Sequence, residues 1–467
     1  MKVTFIKTGV IKRDYKASPP LGVMYLASVL RSEFGADVSI IDTRLGNMTN
    51  SDVLKALSEK KPDIVGLSSF TIEAPQMHSL TGDIRREMPD VLVLSGGPHP
   101  SSDPTRVLSD KNIDFIIIGE GEETIKDIIK VYNGEMSISD ALGAGYRKNG
   151  DAVINKPRPF IENLDIIPFP SWDLIDRVAY FNLPRLLILY KHREYMPVLT
   201  SRACPYRCVY CHQLFGKRFR ARSPENVLEE IKMLYNQYGI REFEVFDDVF
   251  NCLRGRAKII LKMFVESGID ATIQFPNGLR GDLIDDELVY WLKKAGVFRL
   301  SIAVETASPR LQQYIKKYIK LNRIEPTVRK LTRAGINCHG LFMLGFPTET
   351  RDELHETIRF AQDSHFDTAS FFAVNPFEGT ELADIARSLG YRFDAIPENY
   401  DYFNTRFNLS NVSNEELTYL LKIANIKFYL NWRRLIALLK LITVNIRVIP
   451  HLIKIFFERL IFARAGG

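Results

Sequence analysis

The stretch Ser201-Arg-Ala-Cys204-Pro-Tyr-Arg-Cys208-Val-Tyr-Cys211-His212 decides how the rest of this 467-residue chain is interpreted. It holds three of the five cysteines, spaced C-x3-C-x2-C. Thiolates this close can face one centre, and soft sulfur ligands favour iron–sulfur clusters or zinc. A structural zinc site needs four ligands and would have to add His212 or a distant residue. A [4Fe–4S] cluster on three cysteines keeps one iron open, so the spacing favours a reactive metal site.

Cysteine usage and the N-terminus predict a cytoplasmic protein. Disulfide frameworks are typical of short, cysteine-dense secreted chains, whereas this chain is long and poor in cysteine. The first residues form a strand-like segment without the apolar core and cleavage site of a signal peptide. The isolated Cys252 and Cys338 are expected to be small buried hydrophobic residues.

The net charge of +6 is unevenly distributed. From Lys427 to the C-terminus, eight Lys and Arg residues face one acid, Glu458, which leaves the rest of the chain at −1. The body of the protein therefore has no general affinity for polyanions, and we expect no nucleic-acid partner.

The basic C-terminal tail has a helical pattern over residues 414–467, with Arg433, Lys440, Arg447 and Lys454 recurring every seven residues. Apolar residues lie between them, which is typical of a cationic amphipathic helix on an anionic membrane. The pattern predicts peripheral membrane contact through residues 427–467, at the inner face of the membrane. A helical cap packed on the preceding domain is the alternative. Charges interrupt the apolar runs too often for a spanning helix.

Residues 1–140 alternate short apolar runs with helical patterns, which predicts an α/β domain with a doubly wound, Rossmann-like parallel sheet. Such sheets bind ligands beyond the carboxyl ends of their strands. Glycine in those loops lets a ligand approach the backbone, although each loop alone is ordinary in α/β folds. The distinctive residues there are Pro20, Gly22, Ser68, Ser69, Thr71, Gly96, Gly97, His99, Gly119, Glu120 and Gly121.

The rest of the chain divides into three predicted segments. Residues 141–190 form a linker with a small hairpin at Asn149-Gly150 and a proline-rich stretch. Residues 191–395 repeat the βα pattern six times, which predicts a partial (β/α)6 barrel with its chemistry at the carboxyl ends of the strands. The cysteine stretch follows the first of these strands. Residues 396–467 form a helical C-terminal region.

Together these features resemble the radical S-adenosylmethionine (SAM) enzymes that carry a cobalamin-binding domain, a group with class B methyltransferases and anaerobic Mg-protoporphyrin monomethyl ester cyclases. Pro-Pro-Leu-Gly at 19–22, G-G-x-H-P at 96–100 and G-E-G-E at 119–122 carry the match in the first domain. The cysteine stretch and G-x-x-x-x-G-x-P-x-E-T at 340–350 carry it in the second. The D-x-H-x-x-G histidine of cobalamin-dependent mutases has no counterpart here.

The resemblance implies three cofactors: a [4Fe–4S] cluster on Cys204, Cys208 and Cys211, SAM on its open iron, and cobalamin in the loops of the first domain. His99 would shape its loop more readily than bind cobalt. Contacts to SAM are implied for Tyr210, Asp247, Asp248, Asn277, Arg280, Glu305, Gly345 and Pro347.

The implied activity is reductive cleavage of SAM to a 5′-deoxyadenosyl radical, followed by methylation of an unactivated carbon through methylcobalamin. The substrate would be a small molecule or a lipid, and the basic tail favours a hydrophobic or lipid-like one. An electron donor such as flavodoxin or ferredoxin would reduce the cluster. One alternative is a non-methylating oxidative cyclase or rearrangement enzyme. A non-catalytic cobalamin or cluster sensor is a second, disfavoured by the SAM-contact motifs.

Overall fold

The computed structural model describes residues 1–9, 17–183, 185, 190–392, 407–432 and 434. The chain divides into two compact units. The first comprises Met1–Leu186 with the short segment Leu214–Gly216, and the second comprises Leu187–Gln213 and Lys217–Gly467. The predicted amphipathic helix beyond residue 434, together with Arg433, lies outside the described residues.

The first unit is built on a seven-stranded sheet. Its strands are β1 (Lys2–Lys7), β2 (Asp37–Asp42), β3 (Ile64–Ser68), β4 (Leu92–Gly96), β5 (Phe115–Ile117), β6 (Ala144–Lys148) and β7 (Asp151–Ile154). Their order is β2-β1-β3-β4-β5-β6-β7, with β1 to β5 parallel. The parallel strands are mostly apolar and buried, as a sheet covered by helices on both faces requires.

The helices of this unit cover both faces of the sheet and form two separate apolar cores. They are α1 (Leu21–Phe34), α2 (Asn50–Lys60), α3 (Ala74–Glu87), α4 (Pro98–Ser102), α5 (Pro104–Leu108), α6 (Glu122–Tyr132) and α7 (Arg177–Phe181). The doubly wound prediction is confirmed. The glycine loop after β4 is shorter than its sequence suggests, because α4 begins at Pro98.

The predicted hairpin at Asn149-Gly150 is present, but it continues the first sheet as the antiparallel strands β6 and β7. Asn149 and Gly150 have φ values of 55° and 94°, the conformation that a two-residue hairpin turn needs. The hairpin is thus part of the first unit's sheet rather than a free connecting element.

The second unit contains a six-stranded, fully parallel sheet. The described part of this unit has eight strands, six in the parallel sheet and two in a separate pair. They are β8 (Tyr195–Val198), β9 (Ser201–Arg202), β10 (Arg220–Ala221), β11 (Glu242–Val245), β12 (Thr272–Leu279), β13 (Arg299–Glu305), β14 (Asn337–Leu344) and β15 (Thr368–Ala373). The order β15-β14-β13-β12-β11-β8 follows the chain, which confirms the partial (β/α)6 barrel. The short strands β9 and β10 pair separately and close the base of the cysteine loop.

The helices of the second unit lie between and after these strands along the chain. They are α8 (Pro224–Tyr238), α9 (Arg254–Glu266), α10 (Asp286–Lys294), α11 (Pro309–Tyr314), α12 (Leu321–Arg333), α13 (Arg351–Asp363), α14 (Glu381–Ser388) and α15 (Asn414–Tyr429). Strand β14 shows the two faces: Cys338, Gly340, Phe342 and Leu344 are buried, whereas the residues that alternate with them are half-buried. No helix in the described ranges is long and apolar enough to cross a bilayer.

The turn between β14 and α13 is fixed by one buried carboxyl group. Oε2 of Glu349 accepts hydrogen bonds from the backbone N–H groups of Gly345 (2.7 Å) and Phe346 (2.9 Å). Gly345 has a φ of 102°, and a Cβ there would lie 2.9 Å from Leu417. Glu349 is 0% exposed, and burial raises its pKa to about 8. The turn therefore contains a carboxyl group that is largely protonated at neutral pH.

Arg434 was counted among the tail's basic charges, yet its side chain is buried. The guanidinium lies 3.6 Å from the ring centroid of Phe428 and donates hydrogen bonds to backbone carbonyls at the end of α13. The acceptors there, at 2.8–3.0 Å, are Ala361, Gln362 and Ser364, and a further bond of 2.8 Å goes to the carbonyl of Phe428 on α15. Helix ends leave carbonyls without intrahelical partners, so this cation completes α13 rather than facing a membrane.

Replacing Arg434 with methionine should destabilise the second unit by about 2–4 kcal/mol, because several buried carbonyls lose their donor. The melting temperature measured by calorimetry checks this. Arg351→Met is the matched control: Arg351 bonds Glu416 at the other end of α13, with 65% of its side chain exposed. That change should cost less than about 1 kcal/mol. Equal losses in the two variants would contradict the role of Arg434.

The pH dependence of stability should reveal the proton on Glu349. Its pKa is raised from 4.5 to about 8, so the folded chain binds a proton that the unfolded chain loses above pH 4.5. Stability from this group is complete below that pH and declines as pH rises to about 8. Glu349→Gln keeps the hydrogen-bond acceptor and stays neutral at every pH. The melting temperature of this variant should therefore rise relative to that of the wild type as pH increases from 5 to 8.

Glu353→Gln is the control for this effect. Hydrogen bonds from Arg310 and Ser308 outweigh burial and lower the pKa of Glu353 to about 2. Its carboxyl group is ionised in both states across that range, so the difference from wild type should not change with pH. If the difference in melting temperature between Glu349→Gln and wild type is also independent of pH, Glu349 is ionised in the folded protein.

Candidate active site

The cysteine loop leaves β9 at the carboxyl-terminal edge of the half-barrel, as the sequence predicts. Ala203, directly before the first cysteine, has a φ of 71°. The middle of the loop is fixed by Val209, which is buried and whose N–H donates to the carbonyl of Ile315 (3.1 Å). Its own carbonyl accepts a hydrogen bond from the N–H of Leu382 (2.8 Å). Anchoring Val209 leaves the cysteines on either side of it in defined positions.

The three thiols share one electrostatic neighbourhood. Burial raises the pKa of Cys211 to about 12, and the nearby thiols of Cys208 and Cys204 add to the shift. Burial also raises the pKa of Cys204, with Cys208 again contributing. A metal centre binds these groups as thiolates, and soft thiolate sulfur is the ligand type that iron–sulfur clusters use. The donor set therefore fits an iron–sulfur cluster.

Among the described residues, no three His, Cys, Asp or Glu side chains converge on one metal ion. A [4Fe–4S] cluster needs no such convergence, because each thiolate binds a different iron atom. The ring of His212, the candidate fourth zinc ligand, packs 5.8 Å from the ring of Phe377. Of the two isolated cysteines, Cys338 is buried as predicted, whereas Cys252 is only partly buried and lies near Cys204, so that expectation for Cys252 was wrong.

Tyr210, between the last two cysteines, lies in a polar group with Glu305 and Lys317. Its hydroxyl is 3.4 Å from Oε1 of Glu305 and 3.3 Å from Nζ of Lys317. Nζ of Lys317 is also 3.2 Å from Oε1 of Glu305. The ring of Tyr210 lies 5.8 Å from that of Phe346, so the Gly345–Pro347 turn borders the same place. The structure thus brings together, beside the cysteines, Tyr210, Glu305 and the Gly345–Pro347 turn, which were all predicted from the sequence.

The predicted SAM contacts Asp247 and Asn277 are engaged within the protein. The carboxylate of Asp247 accepts hydrogen bonds from the N–H (2.6 Å) and hydroxyl (2.5 Å) of Thr200 and from the hydroxyl of Ser201. Burial raises its pKa despite these donors. The side-chain amide of Asn277 donates to the carbonyl of Phe246 (2.9 Å). These two side chains connect neighbouring strand ends.

Arg280 also serves the protein's own backbone. Its guanidinium donates to the carbonyls of Lys317 (3.0 Å) and Tyr318 (2.8 Å) and lies 3.7 Å from the ring centroid of Tyr206. By contrast, Asp248 is exposed and near Cys204. The contact between Asp248 and SAM stays a prediction.

In the first unit, His99 shows that the carboxyl edge of the sheet fits a ligand. The side chain is 3% exposed, and neither ring nitrogen has a hydrogen-bond partner among the described residues. Burial lowers its pKa to about 4, so the ring is neutral and one nitrogen donates while the other accepts. A buried ring with two unused polar atoms at this edge fits a polar group of cobalamin.

The neighbouring residues give this edge its close backbone approach. Gly97 has a φ of 95°, and a Cβ there would lie 3.0 Å from Oγ of Ser68. The carbonyl of buried Ser69 accepts a hydrogen bond from the N–H of His99 (3.1 Å). Gly96 ends β4, and Thr71 begins the turn that leads into α3. These predicted cobalamin positions lie at one sheet edge, around His99.

The remaining cobalamin positions belong to two helix starts. Pro20 precedes α1, and Gly22 lies exposed in its first turn. Gly119, with a φ of 76°, and Gly121 precede α6. Glu120 is buried, and its Oε2 accepts a hydrogen bond from the N–H of Ile161 (2.9 Å), so this carboxylate fixes the following segment.

Sequence reasoning missed three buried charged groups. Lys7 and Glu73 form an ion pair beside the carboxyl edge of the first sheet, and burial lowers the pKa of Lys7 to about 8. A lysine ending the apolar run of β1 is the signal that could have found it. Lys317 was also missed, because it belongs to no motif.

Comparisons with known proteins agree with this geometry. Residues 198–361 match the Radical SAM superfamily, and residues 7–129 match the B12 binding domain. The first match implies a [4Fe–4S] cluster and SAM, and the second implies cobalamin. The fold resembles that of the cobalamin-dependent S-adenosylmethionine radical enzyme OxsB, solved with aqua-cobalamin and S-adenosylmethionine, with a TM-score of 0.74. That likeness has 19% identity and covers 90% of this chain and 65% of the other, so it shows the fold alone.

Three relatives align with most of the chain. An uncharacterized methyltransferase of Pyrococcus horikoshii is 33% identical over 90% of this chain and 89% of its own. The cytidylyl-2-hydroxyethylphosphonate methyltransferase of Streptomyces wedmorensis is 29% identical, covering 78% and 77%. The anaerobic magnesium-protoporphyrin IX monomethyl ester cyclase of Rubrivivax gelatinosus is 26% identical, covering 82% and 69%. The chain therefore belongs to the radical SAM enzymes that carry an amino-terminal B12-binding domain.

Proposed function

We propose that this protein is a cobalamin-dependent methyltransferase that adds a methyl group to an unactivated carbon of a hydrophobic or lipid-like substrate. One observation carries the proposal: the same chain contains both of the sites that this chemistry needs. One is the loop with three thiols at the edge of the half-barrel, and the other is the sheet edge where both ring nitrogens of His99 lack a hydrogen-bond partner among the described residues. Relatives named as methyltransferases support the methyl transfer.

When bound, the cluster and SAM supply radical chemistry and cobalamin supplies a transferable methyl group. The chain's own residues position these groups. Cys204, Cys208 and Cys211 would hold the cluster, and Tyr210 and Glu305 would orient SAM beside it. An external donor of low potential, such as flavodoxin or ferredoxin, would reduce the cluster.

The inner face of the half-barrel supports an apolar substrate. Strand pairing places Ala303 beside Leu341, and Phe372 lies further along the same face; all three are half-buried. Nearer the amino-terminal ends the face is polar, because the ring of His339 bonds the hydroxyls of Thr368 (2.7 Å) and Ser370 (3.2 Å) there. Apolar side chains thus line the part of the inner face closest to the cysteine loop.

An oxidative cyclase is the second candidate, supported by the cyclase relative. The two functions differ in what happens to SAM. Methyl transfer from SAM releases S-adenosylhomocysteine, whereas radical cyclisation consumes SAM only by reductive cleavage.

Methyl transfer predicts that deuterium from methyl-labelled SAM enters a lipid product. The full chain, loaded anaerobically with iron, sulfide and cobalamin, is incubated with a reductant and a total lipid extract, and products are analysed by mass spectrometry. Labelled lipid with S-adenosylhomocysteine is expected. Cys208→Ala should abolish both through loss of iron, and Cys338→Ala, distant from the loop, should retain both.

Two outcomes would change the proposal. A label that enters only a parallel aqueous metabolite extract would overturn the lipid-like substrate and keep methyl transfer. Cleavage of SAM without label transfer or S-adenosylhomocysteine would overturn methyl transfer in favour of the cyclase.

We also propose peripheral membrane contact through residues 427–467. Support comes from two apolar side chains near the start of this segment: Leu430 is 74% exposed and Trp432 is 69% exposed. Exposed apolar residues beside basic charge are typical of an interfacial anchor.

Co-sedimentation with anionic vesicles tests the membrane contact. Replacing both Leu430 and Trp432 with serine should weaken binding about tenfold or more, because both side chains would enter the interface. Tyr419→Ser, at a position 60% exposed on α15, should leave binding unchanged. Identical binding of all variants, or no binding of the wild type, would contradict the contact.

A further inference from the structure

The segment after α11, residues 315–318, carries a buried cation to the cysteine loop. Nζ of Lys317 lies within hydrogen-bond reach of the Tyr210 hydroxyl (3.3 Å) and of Oε1 of Glu305 (3.2 Å). Its side chain is 12% exposed and that of Glu305 is 10% exposed. Charges removed from solvent are weakly screened, so this ammonium acts strongly on its surroundings.

Lys317 also lies within electrostatic reach of the thiols of Cys208 and Cys211. The same backbone segment contacts one of these cysteines directly, because the carbonyl of Lys316 lies 3.9 Å from Sγ of Cys208. Residues 315–318 therefore carry the cation and also contact the cysteine loop, which fixes the position of the Lys317 ammonium relative to the sulfur ligands.

The backbone around Lys317 is held in a costly conformation. Lys316 and Tyr318 have φ values of 55° and 52°, a region that non-glycine residues rarely adopt. Two residues stabilise it: the Arg280 side chain donates to the carbonyls of residues 317 and 318, and the main-chain carbonyl of Gln312 accepts the N–H groups of both. Strained backbone supported in this way is characteristic of functional sites.

Gln312 connects this segment to Glu305. Its side-chain amide donates to the carbonyls of Val304 (2.9 Å) and Thr306 (2.7 Å), on either side of Glu305. Glu305 itself has a φ of 67°. One buried glutamine thus fixes both backbone bends that bring Lys317 and Glu305 together.

We propose that Lys317 is a positioning residue that fixes Tyr210 and Glu305 and, as a buried positive charge, raises the reduction potential of the cluster. The inference rests on the proposed cluster at the three cysteines. One-electron reduction makes the cluster more negative, and a nearby cation stabilises that state. Removing the cation also leaves the Glu305 carboxylate unpaired beside the sulfurs, which disfavours reduction further.

The test is a potentiometric titration of the reconstituted full chain without SAM, following the spin-resonance signal of the reduced cluster. Lys317→Met should lower the ratio of reduced to oxidised cluster about tenfold at the wild-type midpoint, or about 59 mV for one electron. Lys317→Arg should stay near wild type. Lys316→Met is the matched control, because the Lys316 ammonium pairs with the half-exposed Glu381 (2.6 Å).

Glu305→Gln provides the opposite test. It removes the anion and keeps the cation, so the potential should rise. If Lys317→Met takes up no iron, Glu305→Gln alone tests whether these charges set the reduction potential. An unchanged or lowered potential in Glu305→Gln would then overturn the proposal.

The remaining outcomes separate this role from the proposed function. A fully loaded Lys317→Met protein with the wild-type potential would overturn the role of Lys317 alone. A wild-type chain that binds no iron would remove the cluster itself, and with it the proposed function.

Discussion

The candidate active site depends on one interaction: the pairing of the cysteine loop with the backbone of residues 315–318. Through the hydrogen bond from Val209 to Ile315, a loop with little secondary structure is attached to the core of the half-barrel. The same segment carries Lys317 and is itself held by Arg280 and Gln312. Removing this segment would leave the thiols without a fixed spacing and Tyr210 without its polar partners.

Backbone strain in the described part of the second unit concentrates where the chemistry is expected. Positive φ values at non-glycine residues occur at Ala203, Glu305, Lys316, Tyr318 and Thr348, all close to strand ends or to the cysteine loop. Each costs about 1–3 kcal/mol, so the surrounding hydrogen bonds must exceed that cost. Gln312 and Arg280 supply several of those bonds. Interactions in the half-barrel therefore offset the conformational free energy that these strained residues cost.

Local sequence patterns predict the fold and the cysteine loop well, because both arise from short-range features. Apolar runs define the strands, and three cysteines within one loop need no tertiary information. Side-chain roles depend on distant partners and were predicted less well. Arg280 looked like a ligand contact, yet it supports a backbone segment 37 residues away. Arg434 looked like a surface charge of the tail, yet it binds carbonyls 70 residues earlier in the chain.

The separation between the cysteine loop and its supporting segment has a consequence for synthesis of the protein. Cys208 and Lys316 lie 108 residues apart, so the loop leaves the ribosome well before the segment that encloses it. At translation rates of about 5–20 residues per second, the thiols stay open to the surrounding solution for roughly 5–20 seconds. During that interval they are accessible to iron–sulfur carriers and to oxidants alike. Strand order along the chain thus sets a period in which cluster delivery competes with thiol oxidation.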